Sequence, residues 1–143
     1  MLTWSLTVQA FVQSHRVARL ATVDAAGRPL VLPVCYALDG DRLYSPTDAK
    51  PKRVPVQRLK RLRNLRENPH VALVVDDYRE DWAQLSYVLL HGTAEIISEG
   101  AEFERAITAL RAKYPQYRDM PIQDNPMIAV HLRRVVSWGA VSR

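Results

Sequence analysis

The sequence predicts a mainly β domain of the α+β class: a small antiparallel β-barrel with helical insertions, built as a single domain over residues 1–143. Two observations carry this reading. Six segments alternate apolar and polar residues or run apolar for strand length, with Asp, Gly and Pro turn chemistry between them, and three segments with a period near 3.6 are interspersed among those strands.

The first element is an amphipathic helix over residues 3–15, with Leu6, Ala10 and Phe11 on one face and Thr3 or Ser5 available as its cap. The period then falls to 2. "RVARLATVD" places Val17, Ala18, Leu20 and Thr22 in strand fashion, "DAAGRP" turns the chain, and "LVLPVCYAL" is a nearly continuous apolar strand. Asp39-Gly40 suits a hairpin turn, since both central residues tolerate positive φ, so "LDGDRLYSP" supplies a third strand and the three form a meander. Pro51 and Pro55 interrupt regular structure before a helix over residues 56–67, which Asn68-Pro69 ends because the residue before proline disfavours the α region. "HVALVVDD" is a fourth strand and "DWAQLSYVLLHGTAEIIS" a long fifth one, where Gly92 marks a bend or bulge. Ser98 is placed to cap a helix over residues 99–114 carrying Phe103, Ile107, Leu110 and Tyr114. After the irregular "PQYRDMPIQDNP", the sixth strand "MIAVHLRRVVSWGAV" closes the chain.

Charge is distributed unevenly along these elements. The chain's net charge is +5, yet residues 50–69, "KPKRVPVQRLKRLRNLRENP", hold eight bases against one acid, +7, while the other twelve bases and fourteen acids leave −2. A local excess of this size suits an anionic partner at one place. With Leu59, Leu62 and Leu65 as the core-facing stripe, Arg58 and Arg66 fall within or beside it, and Arg61 and Lys60 point off its two sides. Two readings stand: a solvated face whose stems snorkel over apolar surface, or a site where Arg58 and Arg61, one turn apart near the helix start, converge on a phosphate or carboxylate. Nucleic acid is not expected, since the segment contains no aromatic on which a base would stack. Membrane docking is not expected either, because the leucines are needed against the core.

The remaining features exclude more than they assign. One cysteine, Cys35, forms no internal disulfide and fits a reducing cytoplasm. No apolar run approaches the roughly 20 residues that span a bilayer, and "MLTWSLTVQAFVQSHR" is not a charged region followed by a continuous apolar core. His15, His70, His91 and His131 have no ligand spacing, so no metal site is expected. No nucleophile motif or acid–base pair stands out, and no catalytic side chain is assigned.

The order and spacing of "RVARLATVDAAGRPLVLPVCYALDGDRLY", "KRLRNLRENPHVALVVDDYREDW" and "VLLHGTAEI" resemble the split β-barrel flavin-binding proteins related to pyridoxamine 5′-phosphate oxidase. The likeness is greatest to the actinobacterial-type branch of probable enzymes dependent on coenzyme F-420; it is close over residues 16 to about 97 and extends loosely to "VVSWGAV". This resemblance implies a six-stranded antiparallel split β-barrel of the FMN-binding type, and a homodimer with two cofactor sites at the subunit interface. It implies that Val31, Leu32, Pro33 and Val34, together with Tyr44, Ser45, Pro46 and Thr47, pass beside the flavin or deazaflavin ring. It puts Arg61, three before the Asn of "NLRENP", on the cofactor phosphate, where the guanidinium adds a bidentate fork. The extra cations Lys50, Lys52 and Arg58 would serve the anionic tail that F-420 has and FMN lacks, and Trp82 and Trp138 would either reach the partner's pocket or pack the dimer. The cofactor would carry the hydride itself, leaving the protein to bind and orient it. The expected function is an F-420-dependent oxidoreductase acting on a small organic substrate; the alternatives are an FMN-dependent oxidase or reductase and a cofactor carrier without turnover.

Overall fold

A computed structural model describes residues 2–47 and 59–141. Helix α1, Leu6–Ser14, is shorter than the 3–15 expected; Ser5 caps it by accepting from the Val8 amide at 3.1 Å. Strands β1 (Ala18–Val23) and β2 (Pro29–Val34) form a hairpin in full register, Ala18 opposite Val34 through Val23 opposite Pro29. Strands β3 (Ala37–Asp39) and β4 (Arg42–Pro46) form a second hairpin at Gly40, whose φ of +62° is the left-handed conformation the tight turn requires. Helix α2 (Lys60–Glu67), strand β5 (His70–Asp77), strand β6 (Ser86–Ile97), helix α3 (Ala101–Lys113) and strand β7 (Met127–Gly139) follow.

The seven strands form one antiparallel sheet in the order β2-β1-β5-β6-β7-β4-β3. Seven replaces the expected six because "LVLPVCYAL" is two strands, and they lie at opposite edges of the sheet. The expected meander is therefore wrong: β2 pairs β1, whereas β4 pairs β3 and β7. The break falls at Tyr36. Its amide donates to the Tyr114 hydroxyl at 3.0 Å and its own hydroxyl donates to the Val12 carbonyl, so this residue leaves the ladder and turns fully inward. Only Cys35 and Tyr36 separate the two edge strands, and so short a link brings the edges within about 11 Å of each other. The sheet must curl into a barrel that is split there.

The barrel interior is filled by Leu20, Leu73, Val75, Val88, Leu90, Val130 and Leu132, closed at its ends by residues of α1 and α2. A second cluster lies under α3, where Phe103, Ala106, Ile107 and Leu110 cover Ala37, Tyr44 and Ala129. Gly92 marks the bulge expected of it, with the β6–β7 register shifting between His91 and Gly92. A side-chain carbon there would stand 2.4 Å from the His131 carbonyl oxygen, so only glycine fits. Two further boundaries differ from expectation. The long strand begins at Ser86, after a 3₁₀ turn over Trp82–Gln84 that Asp81 caps, and α3 has Gly100 rather than Ser98 at its N-cap, with no side-chain cap bond.

Candidate functional site

The cationic helix is fastened to one end of the β1–β2 hairpin. Asn64 Nδ2 donates to Thr22 Oγ1 at 3.0 Å in the barrel's mouth, Ala25 N donates to Glu67 Oε2 at 2.9 Å, and Lys60 Nζ lies 3.5 Å from Asp24 Oδ2. Asp24 also accepts from the amides of Arg28 and Ala26 and from Arg28 Nε, each at 2.9 Å. The Arg28 amide, reinforced by its guanidinium, holds the Asp24 carboxyl below the ordinary carboxylate range against the opposing cost of burial. The helix buries Leu62, Asn64 and Leu65. Arg66, expected within or beside the core stripe, is exposed, while Asn64 is buried against Thr22. Arg61 is half-buried and Arg63 exposed.

Strand β2 leads away from this helix along an edge of the sheet. Val31, 61% exposed, and Pro33, also exposed, present an apolar outer face, while Leu32 is half-buried and Val34 buried. Tyr44, Ser45, Pro46 and Thr47 are all buried within the protomer. Tyr44 donates to Glu102 Oε2 at 2.8 Å, and burial followed by that carboxylate raises its hydroxyl well above the ordinary tyrosine value. Thr47 is different: its amide reaches the Pro126 carbonyl at 3.3 Å, but its buried Oγ1 has no hydrogen-bond partner among the described residues. Lys50, Lys52 and Arg58 lie outside the described residues.

Trp82 is 71% exposed, its indole nitrogen 3.5 Å from the Tyr78 hydroxyl. Arg19 pairs with Val74, so Trp82, which follows the end of β5, lies beyond the Ala18 end of β1. The helix α2 is fastened at the other end, around Asp24. Six residues of strand, about 20 Å, separate the two, so a single protomer does not bring Trp82 and Arg61 together. Trp138, 52% exposed, stacks on Tyr87 at 5.7 Å between ring centroids.

The register puts Val31, Ala21, Ala72 and His91 in one row across the outer face of the sheet, and Pro33, Arg19, Val74, Leu89 and Val136 in the next. A depression of about 790 Å³ lined by Arg19, Val74, Tyr78, Leu89 and Trp138 lies on this face. Sequence reasoning did not find Tyr87 or the Asn64–Thr22 pair. The signal for Asn64 was available: it is a lone amide beside a leucine stripe, which needs a partner if buried.

Fold and geometry agree with what comparison with known proteins finds. Residues 6–139 match the pyridoxamine 5′-phosphate oxidase family. A 5a,11a-dehydrotetracycline/5a,11a-dehydrooxytetracycline reductase of Streptomyces rimosus is 31% identical over 130 residues, which are 90% of this chain and 78% of that protein. A conserved hypothetical protein of Mycobacterium tuberculosis superimposes with a TM-score of 0.77 at 21% identity, over 98% of this chain and 87% of the other. The heme storage protein of Vibrio cholerae gives 0.75 at 16% identity, over 99% and 100%. At these identities the two solved structures speak for the fold alone. The family match and the reductase support an oxidoreductase-like role with a flavin-type cofactor at the family level.

Proposed function

Because the chain belongs to the pyridoxamine 5′-phosphate oxidase family, we propose that it is an oxidoreductase that uses reduced coenzyme F-420 to reduce a small organic molecule, working as a homodimer with cofactor sites shared between subunits. The observation that carries this reading is the 31% identity, over nine-tenths of the chain, to a protein whose activity is the reduction of 5a,11a-dehydrotetracycline.

The residues present fit such a cofactor. Arg61, on a helix that three contacts fasten to the β1–β2 hairpin, would hold its phosphate. Val31 and Pro33 would hold its ring on their exposed apolar face with Leu32 and Val34 behind them, and Tyr44 to Thr47 would back the site, the Thr47 hydroxyl offering a hydrogen bond that the described residues leave unused. The cluster of eight bases in residues 50–69, which includes Lys50, Lys52 and Arg58, favours the more anionic F-420 over FMN. When bound, the cofactor supplies the two-electron transfer. The protein's part is to fix the ring against β2 and exclude water from it. Trp82, too far from Arg61 in its own protomer, acts on the site of the partner subunit.

The outer sheet face supports the dimer reading. Val31, Tyr87 and Trp138 are 61%, 36% and 52% exposed on a face that also carries the Arg19–Asp76 ion pair, and exposed apolar area of this kind is stabilised when a second protein surface covers it. Two copies meeting through the same face bury it reciprocally. Light scattering at micromolar concentration is expected to give a mass near twice 16.3 kDa; a monomer removes the shared site.

Parallel titration with F-420 and FMN tests the cofactor. F-420 is expected to bind more tightly, with an advantage that shrinks as salt rises; tight FMN binding without F-420 affinity replaces this reading with the FMN-dependent one. Arg61→Ala is expected to cost about 1.5 to 3 kcal/mol of binding, roughly ten- to over a hundredfold, and the exposed Arg63→Ala much less. Equal losses mean that the segment acts as a diffuse field. Consumption of reduced F-420 with 5a,11a-dehydrotetracycline or other unsaturated acceptors separates an enzyme from a carrier.

A further inference from the structure

At the end of β2 opposite the cationic helix, a cavity of about 550 Å³ opens between the start of β1 and the turn after α3, a volume within the range of small-molecule sites. Its walls are Val17, Cys35, Tyr114, Pro115, Tyr117 and Met120, and among the described residues Arg16 is the only charged side chain lining it. The guanidinium is held in place: its carbon sits 5.4 Å from the Tyr114 ring centroid, and Nη1 donates to the Lys113 carbonyl. Of its five N–H groups only that one is bonded within the described protein, which leaves the fork open to a ligand. A second cation stands behind the aromatic wall. Lys113 Nζ is buried without a hydrogen-bond partner among the described residues, 3.8 Å from the Tyr36 ring centroid and 5.4 Å from that of Tyr114.

We propose that this cavity binds a flat, apolar ring compound carrying an acidic oxygen, a carboxylate or an ionised enol or phenol, and that it is the substrate's subsite. Aromatic and thioether walls accept the ring, and Arg16 pairs with the anion. The link to the reaction rests on the oxidoreductase reading. Val31, Pro33 and Cys35 share the outward side of one continuous stretch of chain, with Val34 and Tyr36 turned inward on either side of Cys35. A ring compound lying along β2 from the Arg61 end therefore meets the cavity at Cys35, where a substrate seated against Tyr114 and Tyr117 would face it.

The test uses 2-naphthoate and its neutral methyl ester as probes, followed by amide chemical shifts of the full-length protein. 2-Naphthoate is expected to shift the amides of Val17, Cys35 and Gln116 and to bind about tenfold more tightly than the ester. Arg16→Gln is expected to bring the acid down to the affinity of the ester while leaving the ester unchanged. Val17→Glu, at a 38% exposed position on the rim, provides a second variant should Arg16→Gln fail to fold, and is expected to repel the acid selectively. Equal affinity for the two probes, shifts that map elsewhere, or an Arg16→Gln variant that still prefers the acid would overturn the site. Titrating the same samples with F-420 and FMN separates the two levels of the argument. Cofactor binding without naphthoate binding refutes the subsite alone; naphthoate binding with neither cofactor bound leaves the ligand class standing and removes its place in the reaction.

Discussion

Thr47→Val separates the demands of folding from those of the site. The threonine is fully buried, and its hydroxyl oxygen has no hydrogen-bond partner among the described residues, while its backbone stays in place through the amide bond to Pro126. Valine has nearly the same shape, so the substitution removes an unsatisfied polar atom without opening a cavity. Burying a hydroxyl without compensation costs about 1 to 3 kcal/mol. The cofactor-free variant is therefore expected to be more stable by about 1 kcal/mol, the low end allowing for partial local relaxation. For a chain of 143 residues that raises the melting temperature by roughly 3 °C. If the hydroxyl's missing partner is the cofactor, binding weakens at the same time, by about 0.5 to 1.5 kcal/mol or two- to tenfold. Thermal unfolding without ligand and titration with F-420 and FMN, both at fixed protomer concentration, read the two effects. Opposite signs are the signature. A variant that melts lower than the parent would show that the hydroxyl already has a partner inside the protein, and unchanged cofactor affinity would remove Thr47 from the site.

Gly92→Ala is expected to lower stability by about 2 to 4 kcal/mol, because the new carbon would stand 2.4 Å from a backbone oxygen of β7 that cannot move without breaking the central strand pair; a melting temperature equal to the parent's would contradict the bulge. Asp24 binds its proton less readily in the folded protein than in the unfolded chain, so its contribution is present above an unfolded pKa of about 3.9 and disappears as pH falls through the lower folded value. Urea unfolding between pH 6 and 3 is accordingly expected to show a steeper loss for the parent than for Asp24→Asn. Lys113 behaves in the opposite sense. Burial, aided by Arg16, pushes its ammonium down to about 8, so between pH 8 and 10.5 the unfolded chain holds the extra proton and stability rises with pH. Lys113→Met is expected to lack that rise, and parallel curves for the two proteins would show that the amine is solvated.

What the sequence determined by itself is what depends on neighbours along the chain. Helix α1 and the end of α2 lie within a few residues of their expected limits because Ser5 and Asn68-Pro69 act locally, and the Asp39-Gly40 turn and the Gly92 bulge follow from the backbone freedom of glycine. The α+β class follows from the change of period between 3.6 and 2. The family likeness of residues 16–97 was equally visible, since it lives in the order and spacing of motifs. Strand order was decided only in three dimensions. "LVLPVCYAL" reads as one strand because its side chains are uniformly apolar, and it divides because Tyr114, 78 positions away, takes the Tyr36 amide out of the ladder. Long-range partners explain the other misses as well: Asn64 is buried because Thr22 receives it, and the Thr47 hydroxyl is an orphan because no described polar group reaches it in its buried position. Nor does the chain order reveal that Arg61 and Trp82, only 21 positions apart, lie at opposite ends of a strand. Spacing along a sequence encodes local geometry; the meeting of distant residues depends on which strands pair, and that is an energy of the whole barrel.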